Sequence, residues 1–389
     1  MIAIKNGKIV TASKVVEDKV LLLKRDRIYG LADDTGDIET VIDAKGRYIL
    51  PGLIDVHSDT IEGYIQPRPT SQVDFAFGLG ICEQNLLTAG ITTMYHSISL
   101  FQDEFFGKSP LRTKDNVQKL ADLIASTETS QKLIRHRFHL RIEIDNLEAF
   151  DIVSHMIREG KVHQISFMDH TPGQGQYQDL TVYYNSIAER GGKEMETIGF
   201  EGVLEHHKKK STLSFEQLKE LSNLAREHGI PVASHDDDTE AKLAMNQQIG
   251  VRISEFPITL GIAKAAKGLG FFTVVGAPNI VRGGSHSGNL SGAEAILENA
   301  ADIICSDYYP AAILHSIFLM HREHGVPLHK AVKLATLNPA CAMRTDADYG
   351  SIKSGKKADL LIVDAEADRP IITRVFVDGK QVMRVEPWR

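Results

Sequence analysis

Short apolar runs alternate with segments of helical periodicity through most of the chain, while the two ends carry strands and turns only. From Met1 to about Leu50 the runs IAIKNGKIV, KVLLLKRDRIYGL and ETVIDAKGRYILPG alternate apolar with polar positions and are separated by Gly-bearing breaks, the pattern of short half-buried strands. The last forty or so residues repeat it in ADLLIVDAE, ITRVFVDGK and QVMRV. Strands left at both termini must bury their apolar faces, and pairing with one another into a small β-sandwich does so with the fewest exposed edges.

Between them lie eight strand candidates: LIDVHSD, GITTMYHSI, RFHLRIEID, HQISFMDH, IPVASHDDD, VRISEFPIT, FFTVVGAPNI and ADIICSDYYP. Helical stretches such as NVQKLADLIAST, SFEQLKELSNLAREHG and SGAEAILENA separate them, and LHKAVKLATLNPACAM reads as a final helix. This order predicts an α/β protein with a (β/α)8 barrel over residues 53–345 and a composite sandwich from residues 1–52 and 346–389. An open doubly wound sheet is the competing arrangement; no Gly-rich dinucleotide fingerprint follows the first strand and no Walker loop occurs.

Composition narrows the partners. With 44 Lys and Arg against 51 Asp and Glu, the net charge of -7 argues against a general nucleic-acid binder. Cys82, Cys305 and Cys341 form no CxxC pair, so neither a thiolate zinc site nor a disulfide framework is expected, and a reducing cytoplasm fits. The N-terminus does not read as a signal peptide and no window approaches a membrane span. A homo-oligomer is left open.

In a barrel the active-site groups project from the C-terminal ends of several strands. Those ends carry His57 and Asp59, Glu143, Asp169 and His170, His235 with Asp236 to Asp238, Glu255 and Asp307. One strand-end His or Asp is ordinarily a cap or loop residue, but recurrence on six of eight strands points to a metal centre. So many carboxylates and imidazoles would repel one another without divalent cations, and N/O ligands suit one or two ions of Zn, Mn, Fe or Co. Two residues apart on one strand, His57 and Asp59 point the same way.

An anion site is also expected. The loop VRGGSHSGN after the seventh strand offers Gly-rich backbone amides, the guanidinium of Arg282, and donors on Ser285, His286 and Ser287. Arg68, between two prolines in QPRPTS, is a second candidate contact. The basic run from His206 to Lys210 reads as a solvated face. The stretch from Gly175 to Ser211, holding Tyr177, Tyr183 and Tyr184, reads as an insertion after the fourth strand that either closes over the site or is a plain excursion.

The junction GRYILPGLIDVHSD, the His after the fifth strand, the Asp after the eighth and the ending NPA…GSIKSGKKADLLIVD resemble the amidohydrolase superfamily. There are departures: the first pair is His-x-Asp, Glu255 stands where many members place a His, and no Lys ends the fourth strand. These departures, with PRP, HLRIEID, SFMDHTPGQGQY, ASHDDDT, EFPIT, GAPNIVRGGSHSGN and SDYYPA, resemble the ribose triphosphate diphosphatases of the carbon-phosphorus lyase pathway. That resemblance implies metal-dependent hydrolysis of α-D-ribose 1-methylphosphonate 5-triphosphate, a small phosphorylated sugar, to its 5-phosphate and pyrophosphate. It implies His57, Asp59, Glu143, His170, His235 and Asp307 as metal and catalytic residues, Asp307 orienting and deprotonating the attacking water, with Glu143 or His170 supplying a bridging group. A metal-dependent amidase or deaminase of the same superfamily is the alternative, and a metal-free interaction protein with an amidohydrolase shell is a third reading.

Overall fold

A computed structural model describes residues 1–100, 110–169, 175, 180, 181, 184, 199–202, 204, 205, 210–284, 290–366 and 369–386. The strands, numbered along the chain, begin with β1 Ile2–Lys5, β2 Lys8–Val10, β3 Val15–Val16, β4 Val20–Lys24, β5 Arg27–Ala32, β6 Thr40–Asp43 and β7 Tyr48–Pro51. The central set is β8 Leu53–Ser58, β9 Ile91–Leu100, β10 Arg135–Glu143, β11 Gln164–Met168, β12 Val232–His235, β13 Ile253–Glu255, β14 Phe272–Gly276 and β15 Ile303–Cys305. The last three are β16 Leu360–Asp364, β17 Ile371–Val377 and β18 Lys380–Arg384.

The terminal strands form two sheets. One, in the order β5-β4-β1-β6, comes from the N-terminal part alone; the other, β18-β17-β16-β7-β2-β3, interleaves both ends. Within the second sheet the two chain ends join through antiparallel β7 and β16, with Leu50 opposite Leu361 and Ile49 opposite Ile362. Alternation then places Ile4, Leu21, Leu23 and Ile28 of one sheet with Ile9, Ile49, Leu360, Ile362 and Phe376 of the other in a single hydrophobic cluster. The β17–β18 hairpin turns through Asp378 and Gly379 at φ 47° and 72°, the two left-handed residues that a tight hairpin requires. A Cβ on Gly379 would also stand 2.1 Å from the carbonyl oxygen of Arg25.

The eight central strands are parallel neighbours in chain order, as the sequence predicts. The ring closes because the N–H of Asp307 donates to the His57 carbonyl and that of Asp59 to the Asp307 carbonyl, each at 3.0 Å. Buried Asp55 adds a side-chain seam, its Oδ1 accepting from the N–H of Ser306 at 3.1 Å. On the outer face, Phe138, Leu140 and Ile142 of β10 join Val117, Leu120 and Ile124 of a surrounding helix in the largest core cluster. A separate cluster draws Val56, Tyr95, Ala233, Ile253, Val274 and Ile303 from six strands.

Helices α1 Ile61–Ile65, α2 Phe75–Thr88, α3 Lys114–Ser126, α4 Ala149–Arg158, α5 Phe215–Glu227 and α6 Glu240–Ile249 surround the first strands. The later helices are α7 Leu260–Gly268, α8 Ala277–Val281, α9 Gly292–Leu297, α10 Ala312–Arg322, α11 Leu328–Lys333 and α12 Leu337–Ala342. Two expectations are corrected here. The seventh strand stops at Gly276 and Ala277–Val281 is helical, Pro278 fitting the first turn, where its missing N–H costs nothing. The expected single helix over residues 328–343 is two, because Pro339 can neither bond to nor clear the carbonyl one turn back. Among the described residues no helix is long and apolar enough to cross a membrane.

Candidate metal centre

The site is built where the barrel strands end. His235 closes β12 and Glu255 closes β13, and the two are register partners, so their side chains emerge side by side. His57, near the end of β8, completes a group whose ligand atoms all lie within 4.8 Å of one another. Directly after β12 and β13, and two residues after the end of β15, the chain turns through non-glycine residues in the left-handed region: Asp236 at φ 53°, Phe256 at 55° and Asp307 at 59°. Such conformations cost free energy and cluster at functional sites. Here they let the backbone turn away while the strand-end side chains stay at the barrel mouth.

The trio is buried, and its polar atoms are incompletely satisfied. His57 Nδ1 and Glu255 Oε2 stand 3.2 Å apart, yet neither makes a hydrogen bond. His235 Nδ1 is 2.9 Å from Asp236 Oδ2, also without hydrogen-bond geometry. Burial pushes the His57 imidazolium well below its ordinary pKa, with Arg141 and His235 acting in the same direction, so the ring is neutral and keeps a lone pair. Gln164 Nε2 donates to Glu255 Oε1 at 3.0 Å and turns the other carboxylate oxygen toward His57. His139 Nδ1 meets the Val56 carbonyl at 3.2 Å and its Nε2 meets Ser166 Oγ at 2.9 Å; burial drives its pKa down to about 3. Phe256 walls the trio, its ring centroid 5.0 Å from those of both His57 and His235. The neutral His57 ring, the His235 imidazole and the Glu255 carboxylate, each with an orphaned buried atom, fit a divalent ion of the zinc, manganese, iron or cobalt type.

The other sequence candidates are placed as follows. Glu143 ends β10 and is buried. Asp59 Oδ2 lies 3.4 Å from Arg112 Nη2, whose Nε donates to Glu62 Oε1 at 2.8 Å, so Asp59 faces a guanidinium and stands outside the trio. Asp307 is pushed up to about 6, by burial first and by Asp59 next, against the pull of Arg141 and His235. Arg68, in the turn closed by the Ser71 N–H and the Arg68 carbonyl, and Arg282, capping α8, are exposed. His170, Ser285, His286, Ser287 and most of the 175–211 insertion lie outside the described residues. Asp237, within the strand-end DDD, is structural: it accepts from Ser234 and Ser254 Oγ at 2.6 and 2.5 Å and from Asn246 Nδ2 at 2.8 Å, tying the β12 and β13 ends together.

Glu255 enters the ligand group that the resemblance left it out of, and Gln164, His139 and Arg141 are additions. Their signal was the alternation of polar Gln164 and Ser166 in QISFM, and of His139, Arg141 and Glu143 in HLRIE, with apolar neighbours.

Residues 189–382 match the amidohydrolase family. Over 388 residues the chain is 32% identical to alpha-D-ribose 1-methylphosphonate 5-triphosphate diphosphatase of Escherichia coli (strain K12), covering 97% of this chain and 99% of that protein. The chain belongs to the amidohydrolase family. Imidazolonepropionase of Picrophilus torridus is 22% identical over 402 residues, covering 93% of this chain and 91% of that one. The crystal structure of N-acetylglucosamine-6-phosphate deacetylase from Pasteurella multocida shares the fold at a TM-score of 0.67 and 14% identity, over 98% of this chain and 99% of the other. Membership makes the protein a hydrolase of a family that typically binds divalent metal ions, and the His57–His235–Glu255 trio is where such an ion fits.

Proposed function

We propose that the protein hydrolyses α-D-ribose 1-methylphosphonate 5-triphosphate to 5-phospho-α-D-ribose 1-methylphosphonate and pyrophosphate, with residues 53–345 carrying the chemistry and residues 1–52 and 346–389 supporting them. The observation that carries this reading is the end-to-end likeness to the Escherichia coli diphosphatase. In the proposal His57, His235 and Glu255 hold a divalent ion, and Asp59, Glu143, His170 and Asp307 complete a centre of one or two ions. Bound there, such ions supply Lewis acidity toward phosphoryl oxygens and a more acidic water. Asp307 orients that water and accepts its proton on a carboxylate oxygen. Arg282, with Ser285 and His286, and Arg68 hold anionic ends of the substrate. Three free thiols, Cys82, Cys305 and Cys341, agree with a cytoplasmic setting.

Pyrophosphate keeps the β and γ phosphoryl groups joined, so the bond broken lies between α and β. Anchoring the ribose and phosphonate brings the α-phosphorus to the trio, and attack there expels pyrophosphate outward. Turnover in heavy-oxygen water then labels the sugar 5-phosphate. A panel assay decides the class: pyrophosphate released from the ribose triphosphate supports the proposal, whereas orthophosphate as the first product, or ammonia from cyclic amides without pyrophosphate, overturns it. Arg282→Ala lowers kcat/KM by about 1.5–3 kcal/mol in transition-state terms while metal content stays constant.

A further inference from the structure

Arg141 is a buried guanidinium that the ligand trio does not use. It lies on β10 between His139 and Glu143, so its side chain leaves the same face as theirs, opposite Leu140 and Ile142 in the outer core. His139 Nε2 is 3.9 Å from Glu255 Oε2 and Glu143 marks the strand end, which brackets Arg141 between the floor of the metal centre and the barrel mouth. The residue is 8% exposed. Its hydrogen-bond acceptor among the described residues is Sδ of Met168, which receives Nε at 2.8 Å.

A guanidinium carries five donors in a planar fork, and a buried one is ordinarily matched by a carboxylate with its remaining N–H groups bonded. Elsewhere in this molecule that rule holds: Arg135, equally buried, is forked onto Asp359. Arg141 has no such partner among the described residues, and the thioether is a weak acceptor that fixes the Nε edge and leaves the Nη edge unmatched. Among the described residues neither Nη group makes a hydrogen bond or ion pair. The Asp307 carboxylate is near enough to feel this cation but does not bond to it, so the bidentate edge suits an incoming anion with two oxygens in one plane. Phosphoryl groups provide that geometry, and the Arg fork matches it in a way a Lys point charge does not.

We infer that Arg141 is a substrate-binding residue that grips the oxygens of the phosphoryl group placed at the metal centre. The inference rests on the proposed diphosphatase reading for the identity of that group, the phosphoryl directly attached to the sugar. No bond is made or broken by Arg141. It holds two non-bridging oxygens and stabilises the negative charge on them while the electron pair of the broken bond leaves with pyrophosphate.

The test uses the metal-loaded full chain, with inorganic phosphate as the probe in isothermal titration calorimetry and pyrophosphate release as the activity. Arg141→Gln is expected to weaken phosphate binding and to lower kcat/KM by about tenfold to a hundredfold, with metal content unchanged. Arg141→Lys, which keeps the charge and loses the fork, is expected to fall between the two and guards against a misfolded Gln variant. Phosphate binding equal to wild type in both variants overturns the inference, and so does a loss of metal that accompanies the loss of binding. If wild type releases no pyrophosphate yet its phosphate binding depends on Arg141, the diphosphatase reading falls and the inference stands. If wild type releases pyrophosphate and Arg141→Gln does so with unchanged kcat/KM, the inference falls and the reading stands.

Discussion

Glu255 brings the one formal negative charge of the ligand trio, and its Oε2 has no hydrogen bond to lose. Glu255→Gln preserves shape and removes that charge, so metal content should fall with little change in stability; His57→Ala and His235→Ala should lower metal content and activity together. Elemental analysis of the three variants checks this, and unchanged stoichiometry in all of them would remove the trio as the binding site. Gln164 acts one step further out, by turning Glu255, and partners of that kind typically govern about 10–100-fold in metal affinity. Gln164→Leu should therefore weaken metal binding within that range while its Tm stays close to wild type. Residues such as His57, His235 and Asp307 are legible in the sequence because a polar side chain at the end of an apolar strand stands out. Gln164 and Arg141 are harder to find: they sit inside strands, and the sequence alone does not say that their face turns toward the centre. Glu255 is visible at its strand end, but only the register opposite His235 makes it a ligand.

Local rules governed the elements where side chain and backbone satisfy each other. SFEQLKEL begins a helix because Ser214 Oγ accepts from the Gln217 N–H at 3.2 Å while Gln217 Oε1 accepts from the Ser214 N–H at 2.9 Å, a reciprocal cap at the start of α5. Ser214→Ala should cost about 1 kcal/mol, read as a lower denaturant midpoint with an unchanged slope. Long-range exchange governs the start of β11. His163 N–H donates to the Phe138 carbonyl at 2.8 Å, and His163 Nδ1 accepts the Phe138 N–H at 3.1 Å, so a neutral ring helps to align β10 with β11. Burial, with Arg137 adding to it, drives the His163 pKa down from 6.5 to about 4. Because the folded value is the lower one, this contribution is complete above about pH 6.5 and is lost as pH falls toward 4, at most about 3 kcal/mol. Stability measured across that window should decline with acid in wild type and decline less steeply in His163→Asn. Equal slopes would assign acid sensitivity to other groups. That contact was not legible in HQISFMDH, since it depends on which residue of the neighbouring strand lies alongside.

Besides apolar contacts, the barrel and the terminal sheets meet at a buried ionic junction. Arg135, at the base of β10, sends Nη2 to Asp359 Oδ1 at 3.0 Å and to Asp378 Oδ1 at 2.8 Å, while its Nη1 meets Asp359 Oδ2. Asp359 precedes β16 and also accepts the Asp378 N–H at 2.9 Å; the guanidinium stacks 4.3 Å from the Tyr349 ring centroid. The strand pattern at the two termini anticipated a shared sheet, yet nothing in ADLLIVDAE shows that its Asp faces an Arg more than two hundred positions earlier. Burial raises the Asp359 pKa and Arg135 opposes that rise, so the carboxylate depends on its partner. Arg135→Met should then cost about 3–5 kcal/mol, mainly by stranding Asp359 in a dry junction. Removing the carboxylate as well relieves that penalty, so Arg135→Met with Asp359→Leu should be more stable than the sum of the two single losses, by a coupling of roughly 0.5–3 kcal/mol. A double-mutant cycle by chemical denaturation measures this term directly. Strict additivity would mean that the junction is held by the sheet pairing of β7 with β16 and by apolar contacts, with the ion pair contributing little to the attachment of the sandwich to the barrel.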